Sequence, residues 1–469
     1  MTYTEDNNIK QEKILQGNQI DNLKSLIKEK DEQITSLRKA LANSQELIVN
    51  IHQSMPLRIF RTYDSSLGKI VPLRLKKKIQ LSTNKIKSEN SSQLKKTLSR
   101  VIPEKKDIIF FPMIDWNYRW QRPHHIARQF ANNEHRVFYL TPTLRKLDSF
   151  FEIDILEENI YEIELSSPKY FDIYKDKIDD QLLKSLGGSF TRLQNELKLD
   201  AVSIVAFPTW TPLAFLLKKL FGFKVVFDHV DAIPEFPNIN KERKKEEDVL
   251  LQNSDLVITS ASKLFQKAQK TNKDTILVPN AGDFALFSKP VLDELLKDFQ
   301  KPIIGYFGAI AEWFDTDLIE FVAKSRPNLT FVFIGDTYGS NLKKIRNLKN
   351  VYFLGERPYI ELPKYLHCFD VCLIPFKLTP LIRSSHPIKI YEYLAAGKPV
   401  VTTKIPDLLP MNDLCYIAKD RTDFLEKLDE SLKENDKKLI EKRIEFASKN
   451  TWQDRFQVIY NQLEKNSFL

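Results

Sequence analysis

Cysteine is scarce in this chain: Cys368, Cys372 and Cys415 are the three in 469 residues. That excludes a disulfide framework. Cys368 and Cys372 flank or enter an apolar run, which suits buried thiols better than a metal site. No apolar h-region occupies residues 1–20, so no signal peptide is visible. No uninterrupted apolar stretch approaches the roughly 18 residues of a membrane span. A cytoplasmic chain is expected.

Charge is unevenly spread. The net charge is +9, from 71 basic and 62 acidic residues. Residues 69–106 hold twelve Lys and Arg against Glu89 and Glu104, a local +10 that accounts for the whole excess. Leu73, Leu75, Ile79, Leu81 and Ile86 are interleaved with them. Basic residues mixed with aliphatic ones suit the anionic inner face of a plasma membrane, where each contributes about 1 kcal/mol. Nucleic acid would be the other polyanion, but no nucleic-acid module accompanies the patch, so none is expected as a partner. A solvated linker has the same composition. Upstream, Ile20, Ile27, Ile34, Leu41 and Ile48 recur every seven residues, with Leu23, Leu37 and Ile51 at the second seam position. Lys30 and Ser44 interrupt that second position. The pattern predicts a coiled coil and hence a homodimer; a lone amphipathic helix packed on the rest would show the same seam. The expected organisation is a helical segment over 1–60, a basic linker over 61–106, and two domains over 107–290 and 291–469. The last helix is expected to return to the first of these domains.

From residue 107 onward, short apolar runs alternate with helical patterns. The runs are Ile108–Phe111, Val137–Leu140, Val202–Phe207, Val225–Phe227, Leu256–Thr259, Ile303–Gly308, Phe331–Gly335, Val351–Leu354, Val371–Pro375 and Val400–Thr402. Such alternation predicts an α/β fold with parallel sheets covered on both faces. About 350 residues exceed one core and fit two domains. Ligands of such sheets bind beyond the carboxyl ends of the strands.

The run HPIKIYEYLAAGKPVV, His386 to Val401, carries the sharpest signal. A short helix after Pro387 ends at Gly397, a residue suited to a left-handed cap. Val400 and Val401 then read as a buried parallel strand. Free backbone N–H groups at the helix start, with Lys389 in the same turn, can hold an anion. Glu392 lies one turn deeper. An anion site beside a carboxylate suits a nucleotide sugar: diphosphate at the helix start, ribose hydroxyls on Glu392. Gly308 would let the backbone approach that ligand closely.

The run resembles the nucleotide-binding helix of family 4 (group 1) GT-B glycosyltransferases, in which the matching glutamate holds the donor ribose. Other segments follow in the same order. Trp116 to His125 spells W-x-x-R-x-Q-R-P-H-H, Val225 to Phe236 is a strand ending in an acidic loop, and Pro279-Asn280-Ala281-Gly282-Asp283 stands where the usual string is P-N-G-V-D. These are similar to bacterial enzymes that build cell-surface polysaccharides, including the teichuronic-acid type. The resemblance covers about residues 107–460. It implies a GT-B fold, two Rossmann-like domains facing a cleft. It also implies a hexosyltransferase using a nucleotide-sugar donor and a surface-polysaccharide or lipid-linked glycan acceptor, with retention and without a metal or other cofactor.

Two departures matter. Many members carry a second glutamate, contacting the donor sugar, where this chain has Ser384. A non-catalytic scaffold acting through the coiled coil is the alternative that this substitution keeps open. Members often carry Arg and Lys after the first strand of the second domain; here Gly308-Ala309-Ile310-Ala311-Glu312-Trp313 holds no base. The diphosphate is therefore expected on Arg383, Lys389 and backbone amides. Tyr391, Gln121 and Arg122 complete the expected substrate contacts. In the first domain Asp115, Arg119, Gln121, Arg122, His124 and His125 crowd one loop, and Asp228, His229 and Asp231 follow a strand. Asp231, His125 and Asp228 are the candidate proton acceptors. Asp315-Thr316-Asp317 matches the D-x-D string of metal-dependent enzymes, but it precedes a helix, where acidic residues are favoured for another reason.

Overall fold

A computed structural model describes residues 103–236, 242–291, 295–337 and 339–469, with 91, 92, 94–96, 98 and 99. The expected heptads over 20–51 and most of the basic stretch lie outside the described residues. Among the described residues, no helix is long and apolar enough to cross a membrane.

Two sheets organise the rest. The first uses β1 (Asp107–Phe111), β2 (Val137–Leu140), β4 (Phe151–Glu157), β5 (Ile160–Leu165), β7 (Ala201–Val205), β8 (Lys224–His229), β9 (Leu256–Thr259) and β10 (Thr275–Leu277). Its order is β10-β9-β8-β7-β1-β2-β5-β4. All neighbours are parallel except the β4–β5 hairpin at one edge. A separate small ribbon pairs β3 (Thr143–Leu144) with β6 (Phe171–Asp172). The central strands β1, β2, β7 and β9 are buried along their whole length. Unbroken runs such as DIIFF and VFYL satisfy that two-sided burial.

The second sheet uses β11 (Ile303–Phe307), β12 (Thr330–Ile334), β13 (Val351–Gly355), β14 (Val371–Ile374), β15 (Val400–Thr403) and β16 (Tyr416–Ala418). Its order is β13-β12-β11-β14-β15-β16, wholly parallel. The chain therefore moves from one sheet to the other between Leu277 and Ile303. Both halves lie in one compact unit, Lys87–Leu469.

The hairpin was missed by the apolar-run reading. Its sequence, FEIDILE then IYEIEL, alternates with charge because one face looks outward. The helix Thr316–Ser325 starts where the acidic string predicts: the Asp315 carboxylate accepts from the Leu318 N–H at 3.0 Å. Asp317 pairs with Lys344 at 2.7 Å on the surface. Cys372 and Cys415 are buried free thiols and Cys368 is half-buried.

The C-terminal helix Trp452–Lys465 packs on the first-half helix Arg122–Asn132. Phe456 meets the Phe130 ring edge-on at 4.9 Å, and Trp452 stacks on His125 at 4.6 Å. Trp452, Phe456, Ile459 and Leu463 share a core with Ile108, Phe110 and Ile126. The final helix thus closes the two halves into one structure.

Candidate functional site

The helix of the leading motif is Lys389–Ala395, followed by Gly397 at φ +68°. A left-handed residue there lets the chain turn directly into β15. The helix buries Ile390, Tyr391, Tyr393 and Leu394, and with them Glu392, which is 3% exposed. The Glu392 carboxylate accepts a hydrogen bond from the Tyr359 hydroxyl at 2.8 Å. The Lys389 ammonium lies 5.3 Å from the Tyr306 ring centre and 5.1 Å from that of Phe376, a cation–π cage. Burial pushes the Glu392 carboxyl up and the Lys389 ammonium down, each opposed by the other's charge.

Gly308 follows β11 at φ +127°, and a Cβ built there would lie 3.0 Å from Lys389 Cε. Gly335, after β12, is tighter still: its Cβ would lie 1.9 Å from the Gly308 carbonyl. These glycines let two strand ends and the helix start converge. Gly308, Lys389 and Glu392 are thereby brought together at the carboxyl ends of the second sheet.

The first half reaches this place through its Trp116–His125 loop. Trp120 stacks near Tyr359, with ring centres 6.4 Å apart, and His125 meets Tyr359 edge-on at 5.8 Å. Arg119 crosses to the second half, donating from Nε to Glu356 at 2.6 Å and from Nη2 to Asp336 at 3.1 Å. Tyr359, Trp120, Asp336 and Glu356 were not singled out from the sequence. No local spacing links them to Glu392.

Several expected site residues are placed elsewhere. Arg122 is fully buried, and its Nε donates to both Asp228 oxygens at 3.0 Å. Its Nη1 donates to the Val278 carbonyl at 2.9 Å and to Asn280 Oδ1 at 3.3 Å. Asn280 Nδ2 then donates to the His386 carbonyl at 2.7 Å. Arg122 and Asp228 are therefore a buried pair inside the first half, and Asn280 carries the contact on to the second. His125 is 5% exposed, its Nδ1 accepting from Trp120 Nε1 at 3.3 Å. Burial, with the neighbouring His124 and Arg128 charges, pushes it well below the usual histidine range. It is a packed neutral ring rather than an accessible base. Gln121 precedes the Arg122–Asn132 helix, and its N–H donates to His124 Nδ1 at 3.1 Å.

The Tyr391 hydroxyl and His386 Nε2 share a hydrogen bond at 3.0 Å and Tyr391 Cβ packs on Gly282, so Tyr391 faces the half-to-half contact and not Glu392. Ser384 is buried and donates to the Pro380 carbonyl at 3.0 Å. Arg383 is exposed, donates to the Leu378 carbonyl at 3.1 Å and lines a separate crevice of about 290 Å³ with Ser262, Lys263, Gln266, Pro406 and Asp407. The structure thus separates Arg383 from Lys389.

Asp231 is half-buried in the loop after β8, and desolvation pushes its carboxyl up to about 6. His229 beside it is buried and bonded through Nε2 to Glu247 Oε1 at 2.9 Å; Glu247 also accepts from Lys267. Among the described residues no cluster of His, Cys, Asp and Glu is placed to hold a metal.

Comparison with known proteins supports the sequence-based resemblance. Residues 301–434 match the family model of glycosyl transferases, group 1. The chain is 28% identical over 235 residues to TuaH of Bacillus subtilis (strain 168), a protein named as a glycosyltransferase of teichuronic acid biosynthesis. That alignment covers 46% of this chain and 59% of TuaH, so it spans less than two thirds of that relative. The fold is similar to sucrose-phosphate synthase from Thermosynechococcus elongatus, with a TM-score of 0.62 and 16% identity over 78% of this chain and 99% of the other. It is also similar to Anabaena HepE in complex with UDP and glucose, with a TM-score of 0.54 and 14% identity over 77% and 100%. The architecture is that of the GT-B glycosyltransferases, two Rossmann-like halves with parallel sheets.

A stability prediction follows from the Arg122–Asp228 pair. Removing one partner leaves a buried charge uncompensated, so Asp228→Ala should lower unfolding free energy by about 3–5 kcal/mol. Replacing both, as Arg122→Met with Asp228→Leu, should cost much less than the sum of the single changes. Urea denaturation of Asp228→Ala, of Arg122→Met and Asp228→Leu singly, and of the double variant measures both. A single variant as stable as the parent would show that the pair contributes nothing.

Proposed function

We propose that this chain is a glycosyltransferase that moves a sugar from a nucleoside-diphosphate sugar to a glycan, with retention and without a divalent metal. The carrying observation is the convergence of buried Glu392, Lys389 and Gly308 at the carboxyl ends of the second sheet. Glu392 would hold the ribose hydroxyls, in the place now taken by the Tyr359 hydroxyl. Lys389 would meet the diphosphate, whose charge would favour the protonated ammonium. The donor class is supported by the UDP and glucose bound to the similar HepE. The acceptor class, a cell-surface polysaccharide or lipid-linked glycan, is supported by the role for which TuaH is named.

Calorimetric titration of the full chain with UDP-, GDP- and dTDP-sugars tests the donor site. One donor should bind, and Glu392→Ala should weaken it by about 1.5–3 kcal/mol, the scale of a hydrogen bond to a charged group. Transfer should persist in EDTA, and product anomeric configuration reads retention or inversion. Loss of transfer in EDTA with recovery in manganese would overturn the metal-free reading. Ser384 favours a second reading, a scaffold that binds donor without reacting; binding without transfer or hydrolysis would select it.

Asp231 is the proton acceptor in this reading, since Asp228 is paired with Arg122 and His125 is packed. Only its ionised form accepts a proton, and its carboxyl is raised to about 6. Turnover should therefore rise with pH through about 6. Asp231→Asn should lose most activity and that acid limb, with donor affinity kept. A variant with an unchanged pH profile would remove Asp231 from this role.

Residues 1–106 would place the enzyme on the cytoplasmic face of the membrane as a homodimer. Two basic stretches in one particle bind a surface more tightly than one. Full-length protein should pellet with anionic vesicles at low salt and release as salt rises. A chain lacking residues 1–86 should be monomeric and stay in solution, since Leu98 is kept in the core of the first half. Equal pelleting of both would reduce the basic stretch to a linker.

A further inference from the structure

A diphosphate is a multiply charged anion, and the donor site as described offers it one cation, Lys389. The segment after Gly308 carries no base and adds Glu312. Arg383 lines a different crevice. A second cation nevertheless stands at the rim, contributed by the opposite half.

Arg119 comes from the Trp116–His125 loop, between β1 and the Arg122–Asn132 helix. Its partners, Asp336 and Glu356, follow β12 and β13. Asp336 is the residue after Gly335, whose backbone lies directly on the Gly308 carbonyl. The Ile310 N–H also donates to the Asp336 carbonyl at 2.9 Å. Gly308 in turn touches Lys389. A continuous set of contacts thus runs from the Arg119 guanidinium to the Lys389 ammonium, although the two residues are far apart in sequence.

The exposures distinguish this pair from a structural one. Side chains of Arg119, Asp336 and Glu356 are 23%, 41% and 33% exposed, so the cluster opens to water. Arg122, three positions on, has a side chain only 1% exposed and directs its bonds inward. Exposed pairs contribute little and are readily exchanged. A guanidinium fork matches phosphate oxygens as well as carboxylate oxygens.

We propose that Arg119 is the second cation of the diphosphate site, supplied across the cleft in place of the absent base after Gly308. This rests on the donor-site reading above. Asp336 and Glu356 hold the guanidinium when no donor is bound. The incoming diphosphate takes over one or both of these bonds, and the two carboxylates remain hydrated. Arg119 is a binding residue here; no bond to the sugar is broken through it.

The experiment is calorimetric titration of full-length protein with UDP, GDP and dTDP, and with uridine, guanosine and thymidine. The parent should bind at least one nucleoside diphosphate. Arg119→Ala should weaken that diphosphate roughly tenfold to hundredfold, the range for a charge-assisted hydrogen bond, and leave the matching nucleoside unchanged. Arg119→Gln, which keeps the aliphatic stem and a polar end without the charge, should show the same selective loss. The double variant Asp336→Asn/Glu356→Gln should bind the diphosphate as tightly as the parent or more so. If Arg119→Ala or Arg119→Gln folds and binds the diphosphate within about twofold of the parent, the assignment is wrong and the donor site stands. If the carboxylate variant loses affinity as the arginine variants do, Arg119 is a latch between the halves and not a phosphate ligand. If the parent binds none of the three diphosphates, the donor-site reading falls and this assignment with it.

Discussion

The buried Arg122 guanidinium fixes Asn280, the first-half residue whose amide bonds across to the second half. Taking that charge out of water is costly unless every donor finds a partner. Both Asp228 oxygens, the Val278 carbonyl and Asn280 Oδ1 meet it. Those partners come from the end of β8 and from the loop after β10. Asn280 then spends its amide on the His386 carbonyl, and His386 shares a hydrogen bond with Tyr391 on the donor helix. One polar chain thus runs from the strand that precedes Asp231 to the helix that carries Glu392. The glycine at 282 makes the approach possible, since a Cβ there would lie 2.9 Å from Tyr391 Cβ. The distance between the two halves of the site is therefore fixed by a core contact, not by the site itself.

Glu392 and Lys389 show the opposite economy. Their burial disfavours charge on both, and the Tyr359 hydroxyl donates to Glu392. A hydroxyl donating to a buried carboxylate is what a ribose would also provide. Selectivity has to come from what the hydroxyl is attached to, and from the phosphate charge acting on Lys389. Preorganisation of this kind spares the ordering cost that a mobile carboxylate would incur on binding.

Much of the fold was legible because parallel strands leave unbroken apolar runs. β2 and β9 coincide with the runs read from the sequence, and the other central strands differ only at their ends. The β4–β5 hairpin was not legible as a run because its outer face carries Glu152, Asp154, Glu162 and Glu164, which break it at every second residue. The closeness of Glu392 and Lys389 was legible since one helix carries both, whereas Gly308 meets Lys389 only through the fold. Arg122, Asp228 and His125 were picked out as polar residues beside a cleft, and the structure places all three in buried contacts. Polar residues beside a cleft carry the same sequence signal whether they react or hold the core. Arg383 was grouped with Lys389 because it lies just before the same helix, but sequence proximity says nothing about direction: Arg383 lines a crevice with Ser262 and Asp407. Tyr359 had no local signal, because its relation to Glu392 exists only after β13 and β15 are laid into one sheet.

Contacts between the halves fall into two energetic kinds, and this difference bears on how the cleft can move. The Arg122–Asn280–His386 chain and the Trp452–His125 stack are buried, and breaking them exposes unpaired polar groups or apolar rings. The Arg119 pairs are open to water, and so is the exposed Ser262 N–H, which donates to Asp407 at 3.0 Å. Water can replace these partners at a cost of about 1 kcal/mol or less each, whereas breaking a buried pair costs about 3–5 kcal/mol. Any opening of the cleft must therefore begin at the exposed contacts and turn about the buried ones. The exposed Ser262–Asp407 contact therefore offers the least resistance, the half-buried Arg119 pairs come next, and the Arg122 contacts lie in the core. A donor could then enter by displacing side-chain pairs at the rim while the register between Asp231 and Glu392 is kept.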